Sequence, residues 1–391
     1  MAKFDFDRVW DRRGTNTYKY GKLKDNFGRE DLLPMWVADM DFAVPECITD
    51  ALNERMKHPI FGYSPEPEGY RECIVKWVGD MQGWKIKPEW LSYIPGIVKG
   101  IGMVINMLLE KGDKVIIQPP VYHPFRNVPT MSGFEVVDNP LIEKNGTYEM
   151  DFDNLLSVID DKCRLIIISN PHNPAGVMWS RETLMRLAEI CYERNIMVIS
   201  DEIHCDMPLW GKHHIPFASV SDKAAACSIT FGAPSKTFNI AGIVSSYAIV
   251  PNDELRERFF AKLEACELGS PHMFAPIATM AAYTCGNEWR EAMLKYVEGN
   301  VKFVEDYCRE NMPQLKPWRP DASFLIWLDC RGLGITHDEL IDLFVNKARL
   351  ALNDGAMFGQ NGSGFMRMNI GTSRSVIKTA LDRLKENIEK I

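Results

Sequence analysis

The sequence predicts an α/β protein with a large domain built on a mostly parallel sheet and a smaller α+β domain. Two observations predict this. Short apolar runs rich in Ile and Val recur between amphipathic stretches, and the last hundred or so residues change to long amphipathic patterns around a single apolar run. A chain of 391 residues is long enough for roughly two domains of ordinary size, each with its own core.

The elements follow in chain order. In "SYIPGIVKGIGMVINMLL", Gly96 sits in a turn that opens a helix. The runs "KVIIQPP" (114–120), "RLIIISNP" (164–171), "IMVISDE" (196–202), "CSITFG" (227–232) and "SSYAIV" (245–250) read as strands buried on both faces. Between the second and third of these lies "SRETLMRLAEICYERN", with Ser180 as helix cap and Leu184, Leu187, Ile190 and Cys191 along one stripe. Strand, helix, strand implies parallel pairing through right-handed crossovers. Near residue 285 the pattern changes. "GNEWREAMLKYVEGNVKFVEDYCREN" and "THDELIDLFVNKARL" are amphipathic and flank the strand-like "SFLIWLDC", and "SRSVIKTALDRLKENIEKI" closes the chain as a helix.

Composition narrows the function. With 46% apolar and 25% charged residues this is the composition of a globular protein, and a net charge of −8 disfavours nucleic acid and anionic membrane as partners. A small-molecule partner is expected. Ten cysteines stand singly with no C-x-x-C pair, which fits reduced thiols in the cytoplasm and no metal cage. "MAKFDFDRVWDRRG" alternates charges with aromatics and lacks the apolar segment of a signal peptide, and "IGMVINMLL" is too short to cross a bilayer.

Ligands of open parallel sheets bind beyond the carboxyl ends of the strands. Polar groups gather there in this sequence. The helix opened by Gly96 offers free N–H groups that suit an anion such as phosphate. "NPHNPAG" (170–176) offers Asn170 and Asn173, "DEIHCD" offers Asp201, and "GAPSK" offers Lys236 in an otherwise apolar and small-residue stretch. Each has a duller explanation as a turn residue, and a lysine in a turn is as often ordinary as catalytic. The G-x-x-x-x-G-K-[ST], H-E-x-x-H and G-x-G-x-x-G motifs are all absent, so nucleotide hydrolysis, a zinc helix and nicotinamide dinucleotide binding lose their main support.

In the order "PGIVKG", "NPHNPAG", "DEIH", "SK" and "FMRMNIG" the chain resembles the fold-type I pyridoxal-phosphate enzymes of the class I/II aminotransferase superfamily, over nearly its full length. In "LPMWVADMDF", "FGYSPEPEGY", "DEIHCDM" and "APSKTFNIAG" it is similar to the cystathionine β-lyase (cysteine-S-conjugate β-lyase) group of MalY and PatB. The resemblance implies the aspartate aminotransferase fold, a large cofactor-binding domain over 46–285, and a small domain from 1–45 plus 286–391. It implies pyridoxal 5'-phosphate bonded to Lys236, which becomes a base above the Cα proton once substrate releases it. Asp201 is to pair with the ring nitrogen, Asn173 to donate to the ring's phenolic oxygen and Tyr122 to lie over the ring face. Backbone at Gly96, Ile97 and Val98, with Ser235, is to hold the phosphate. His204 replaces the tyrosine usual three residues after the aspartate, and stays a cofactor-binding candidate.

Arg367 is expected to clamp the substrate α-carboxylate, with Arg374 as runner-up and Ala38 and Asn173 as further substrate contacts. Tyr63 aligns with a tyrosine that reaches the neighbouring subunit's phosphate, which implies a homodimer with shared active sites. Ala233 and Val244 stand where many relatives carry a serine and an arginine that touch phosphate. The implied reaction is β-elimination of an L-cysteine thioether such as L-cystathionine, giving a thiol, pyruvate and ammonia, as in methionine biosynthesis. The alternatives are an aminotransferase on the same scaffold, and a non-catalytic regulatory protein.

Overall fold

The computed structural model describes residues 4–390. Its largest sheet has seven strands: β1 (Leu91–Ile94), β2 (Lys114–Ile117), β3 (Glu135–Asp138), β4 (Cys163–Ser169), β5 (Met197–Asp201), β6 (Ser228–Gly232) and β7 (Ser246–Ile249), in the order β1-β7-β6-β5-β4-β2-β3. Pairing from β3 across to β6 is parallel, while β7 runs antiparallel to both β6 and β1. So "SSYAIV" is a strand as expected, but in the reverse sense. The physical reason is its connection: residues 233–245 return directly along the sheet edge without the crossover helix that a parallel pair needs.

The apolar runs are continuous because both faces of this sheet are covered. Val115, Ile117, Leu165, Ile167 and Ile199 pack on one side with Ile101 and Val104 of α1 (Ile97–Leu108). Ile116, Ile166, Ile168 and Val198 pack on the other with Leu184, Leu187, Ala188 and Cys191 of α2 (Arg181–Glu193). Ser180 caps α2, its hydroxyl accepting from the Thr183 N–H at 3.1 Å. Ala188 takes the buried position expected of Ile190, which is only half-buried, since the stripe drifts by 100° per residue. Gly100 lets α1 lie close on the sheet. A Cβ there would stand 2.6 Å from Ile94 Cδ1 and 3.1 Å from the Phe231 ring.

Two helices, α3 (Phe274–Cys285) and α4 (Asn287–Asn311), meet at Gly286, next to the expected boundary. Beyond them β8 (Lys316–Trp318), β9 (Leu325–Asp329), β10 (Asn353–Asp354) and β11 (Phe365–Asn369) form an antiparallel sheet in the order β8-β9-β11-β10, followed by α5 (Arg374–Ile388). The expected helix in "THDELIDLFVNKARL" starts with a capping box of Thr336 and Glu339. It is α-helical only over His337–Asp342 and then widens to a π-turn over Leu343–Lys347, which buries Leu343, Phe344 and Val345 together. An early segment, Leu33–Pro34, pairs in parallel with Leu350–Ala351 as a separate two-stranded sheet. All ten cysteines are free thiols. Among the described residues no helix is long and apolar enough to cross a membrane.

Candidate active site

The carboxyl ends of β1, β4, β5 and β6, and the amino end of antiparallel β7, open on one cavity of about 610 Å³. That volume suits a cofactor-sized ligand. Its walls include Ala38, Gly96, Ile97, Val98, Tyr122, Asn173, Asp201, His204, Ser235, Lys236 and Arg367, so residues more than 300 positions apart in sequence meet in one place.

Asp201 is the last residue of β5, paired in register with Ser169 and Phe231, and therefore sits at the sheet edge at the depth of its neighbours' ends. It is buried, and its Oδ1 accepts from the Ile203 N–H at 3.1 Å. Burial pushes its carboxyl up to about 7, against the pull of that N–H and of the Lys236 charge. Lys236 follows the end of β6 and faces the cavity, with Nζ donating to the Ala38 carbonyl at 2.7 Å. Desolvation lowers its ammonium to about 8. Asp39 opposes that shift, Arg367 adds to it, and Asp201 opposes it more weakly. A lysine at about 8 is partly neutral near physiological pH, which is the form that attacks a carbonyl or takes a proton.

Arg367 comes from β11, opposite Trp327 of β9 and Asn353 of β10. It is buried. Nη1 donates to Asn173 Oδ1 at 2.8 Å, and Nη2 donates to Asn353 Oδ1 at 2.6 Å and to the Trp36 carbonyl at 3.0 Å, while Nε has no partner. Every acceptor is neutral, and burial lowers the guanidinium to about 10. A carboxylate arriving from the cavity is the missing counter-charge. Asn173, with Oδ1 given to Arg367, keeps its Nδ2 as a donor for a ligand.

At the other end Gly96 holds φ +113° and ψ 150°, a conformation open to glycine, and the chain turns there into α1. The first residues of that helix, Ile97 and Val98, line the cavity with Ser235, and the first N–H groups of a helix have no partner within it. Tyr122 lines the wall with its hydroxyl raised by burial, and His204, buried against Phe324, shares a hydrogen bond of 3.1 Å between Nδ1 and Ser323 Oγ. Burial depresses His204 to about 3, so it lines the cavity uncharged.

The cavity does not include Tyr63, which is fully exposed on a loop of its own chain. Arg374 is also elsewhere, with Nε donating to Asn300 at 3.2 Å. Of the two departures, Val244 lines the cavity at φ +56° while Ala233 is buried off it. Sequence reasoning missed Tyr18, Asn26, Trp36, His123, Asn353 and Met357, all cavity-lining. None lies in a strand-end motif. Trp36 falls within "LPMWVADMDF", while for Tyr18 and Asn26 the signal was aromatic and amide richness in the early segment, which fits packing equally well.

The sequence profile of the family described as aminotransferase class I and II matches residues 30–384. The cystathionine β-lyase PatB of Bacillus subtilis is 42% identical over 382 residues, covering 97% of this chain and 99% of that one. Among solved structures, cystalysin from Treponema denticola, which contains pyridoxal 5'-phosphate, superposes with a TM-score of 0.95 at 30% identity, covering 99% of each chain. A pyridoxal-phosphate-bound C–S lyase from Staphylococcus hominis gives 0.91 at 34% identity, covering 98% of each. With a strand-end cavity that brings Asn173, Asp201, Lys236 and Arg367 together, and a family match over most of its length, this chain belongs to the class I and II aminotransferase family.

Proposed function

We propose that this protein is a pyridoxal-phosphate-dependent carbon–sulfur β-lyase acting on L-cystathionine or related L-cysteine S-conjugates. One observation carries the reading. Lys236, Asp201 and Arg367 surround a single cavity, and among the described residues none of the three is in an ion pair with the protein. Unmatched charges of both signs are costly away from water, so the site is built for a ligand that matches all of them. Pyridoxal phosphate with a bound amino acid does so, and the likeness to PatB and the C–S lyase of S. hominis supports the thioether reading.

The residues fit the cofactor group by group. Lys236 would bond its aldehyde carbon, Asp201 would hold the proton on the ring nitrogen, and Asn173 Nδ2 would donate to the ring oxygen. The N–H groups of Ile97 and Val98 with Ser235 would take the phosphate. Tyr122 and His204 complete the walls around the ring. When bound, the cofactor withdraws electrons from the substrate's Cα, which makes its proton removable. The chain's own residues do the rest. Arg367 fixes the α-carboxylate and the neutral Lys236 amine takes the Cα proton. The C–S bond then breaks with the electron pair on sulfur. The net reaction is thioether plus water to thiol, pyruvate and ammonia.

The remaining expectations belong to the same proposal: a large domain over 46–285 with a small one from 1–45 and 286–391, a homodimer in which Tyr63 reaches the partner's phosphate, a cytoplasmic setting and a part in methionine biosynthesis. The experiment is product analysis. Purified protein given L-cystathionine and no 2-oxo acid should release pyruvate, ammonia and homocysteine in equal amounts. Turnover that requires a 2-oxo acid would replace this reading with an aminotransferase.

A further inference from the structure

The backbone lines the cavity from Trp36 to Ala38 and runs on to Phe42, with nearly every carbonyl of 36–42 held by a side chain from one of two distant segments. Arg367 Nη2 donates to Trp36 O, and Lys236 Nζ donates to Ala38 O at 2.7 Å. Between and beyond these, two asparagines do the holding. Asn369 Nδ2 donates to Val37 O at 2.6 Å and to Asp39 O at 2.7 Å. Asn239 Nδ2 donates to Met40 O at 2.9 Å and to Phe42 O at 2.8 Å, and its Oδ1 accepts from the Met40 N–H at 2.9 Å.

Neither asparagine lines the cavity. Each stands just after a residue that does: Asn239 in the loop of Lys236, and Asn369 two places after Arg367 on the same face of β11. The outer side of the segment is fixed separately. Asp39 and Asp41 each pair with Arg12 at 2.7 Å, and Asp41 also pairs with Lys19 at 2.9 Å. One stretch of backbone thus carries the acceptor for Lys236 and an acceptor for Arg367, with an amide clamp rooted beside each.

We propose that Asn239 and Asn369 are positioning residues for the reaction, and that the backbone segment 36–42 which they clamp couples the seat of Lys236 to the seat of Arg367. Removing the Asn239 amide leaves Phe42 O without its donor and Met40 O with Arg12 alone at 3.2 Å. Removing that of Asn369 leaves Val37 O without its donor and Asp39 O with Lys19 alone at 3.4 Å, and a segment that shifts withdraws Trp36 O and Ala38 O together. The charged groups facing Lys236 are Asp39, Arg367 and Asp201. Asp39 lies in the segment, so its retreat also removes a charge that favours the ammonium. The midpoint for Lys236 then moves to lower pH.

This inference rests on the cofactor-and-amino-acid reading of the cavity, and the test separates the two. Two quantities are measured in wild type, Asn239→Gly, which keeps the left-handed φ of +57°, and Asn369→Ala. The first is the dissociation constant of 2-aminoisobutyrate, an amino acid with no Cα proton, from absorbance of the holoenzyme. The second is the midpoint pH for capture of pyridoxal phosphate by the apoenzyme. Each variant should weaken amino-acid binding about five- to tenfold and lower the capture midpoint by about half a pH unit, because either clamp reaches both seats. Effects confined to the near side overturn the coupling: Asn239→Gly moving only capture, or Asn369→Ala moving only amino-acid binding. So does a variant that melts at lower temperature with both readouts at wild-type values. If Asn369→Ala does not fold, Asn369→Ser is read in its place by the same criteria. Failure of the wild-type protein to capture cofactor at all would instead remove the underlying reading.

Discussion

At the residue scale the site is a problem in unmatched charge. Arg367 has neutral acceptors on both Nη atoms and none on Nε, which holds the guanidinium in place without neutralising it. Asn353, on the preceding strand and directly opposite in register, contributes the shortest of these bonds at 2.6 Å. Arg367→Ala should therefore raise KM for the amino acid by about one to two orders of magnitude with a smaller change in kcat, since the clamp holds ground and transition states alike. Steady-state kinetics on Arg374→Ala provides the contrast. Arg374 donates to Asn300 outside the cavity, so its loss should leave KM close to wild type. A KM increase confined to Arg374→Ala would mean that the wrong arginine was chosen. The residues legible in sequence were those at strand ends. Asp201 stands out because an apolar run stops at it, and Asn173 and Lys236 because each lies in the turn that follows such a run, whereas Trp36 and Asn353 act through a backbone carbonyl and an amide that no strand-end pattern marks.

At the element scale the sheet explains why those strand ends converge. Its parallel strands deliver their carboxyl ends to one edge, and β7, reversed, brings Val244 and Ser246 back to the same edge. The strands and α2 were readable from apolar runs and the Ser180 cap. The sense of β7 was not, because strand direction depends on the route of residues 233–245 and not on composition. Helix α1 meets the edge with its amino end, where Gly96, Ile97, Val98 and Ser235 line the cavity and Lys99 is exposed. On the proposed reading, backbone N–H groups supply much of the phosphate's hydrogen bonding. Ile97→Pro tests this. Proline is tolerated at the first helical position, and Gly96 at ψ 150° is compatible with a following proline, so α1 should persist with one N–H fewer and some lost packing. The affinity ratio of pyridoxal phosphate to pyridoxal, measured on the apoenzyme, should fall about tenfold or more. An unchanged ratio would place the phosphate elsewhere.

At the scale of the whole molecule, one stretch of apolar side chains faces solvent. The end of the helix Glu46–Met56 and the loop after it expose Met56, Ile60, Phe61 and Tyr63, and Tyr63 is fully accessible. Contiguous exposed apolar side chains are characteristic of interfaces, and this loop is where the proposed homodimer would join. If the Tyr63 hydroxyl reaches the partner's phosphate, Tyr63→Phe should lower pyridoxal-phosphate affinity by about 1.5–3 kcal/mol, the range for a hydrogen bond to a charged group. Cofactor and dimer should then stabilise each other by mass action. Cofactor titration with light scattering on both proteins checks this, and a monomeric holoenzyme or equal affinities would contradict it. The central claim, that the cavity around Asn173, Asp201 and Arg367 exists to hold pyridoxal phosphate on Lys236, has a more direct test. The purified protein is reduced with borohydride, digested and mapped. The account predicts a single reduced pyridoxyl adduct, on Lys236, and no such adduct in Lys236→Ala. Stoichiometric adduct on any other lysine, or none in protein loaded with cofactor, would contradict it.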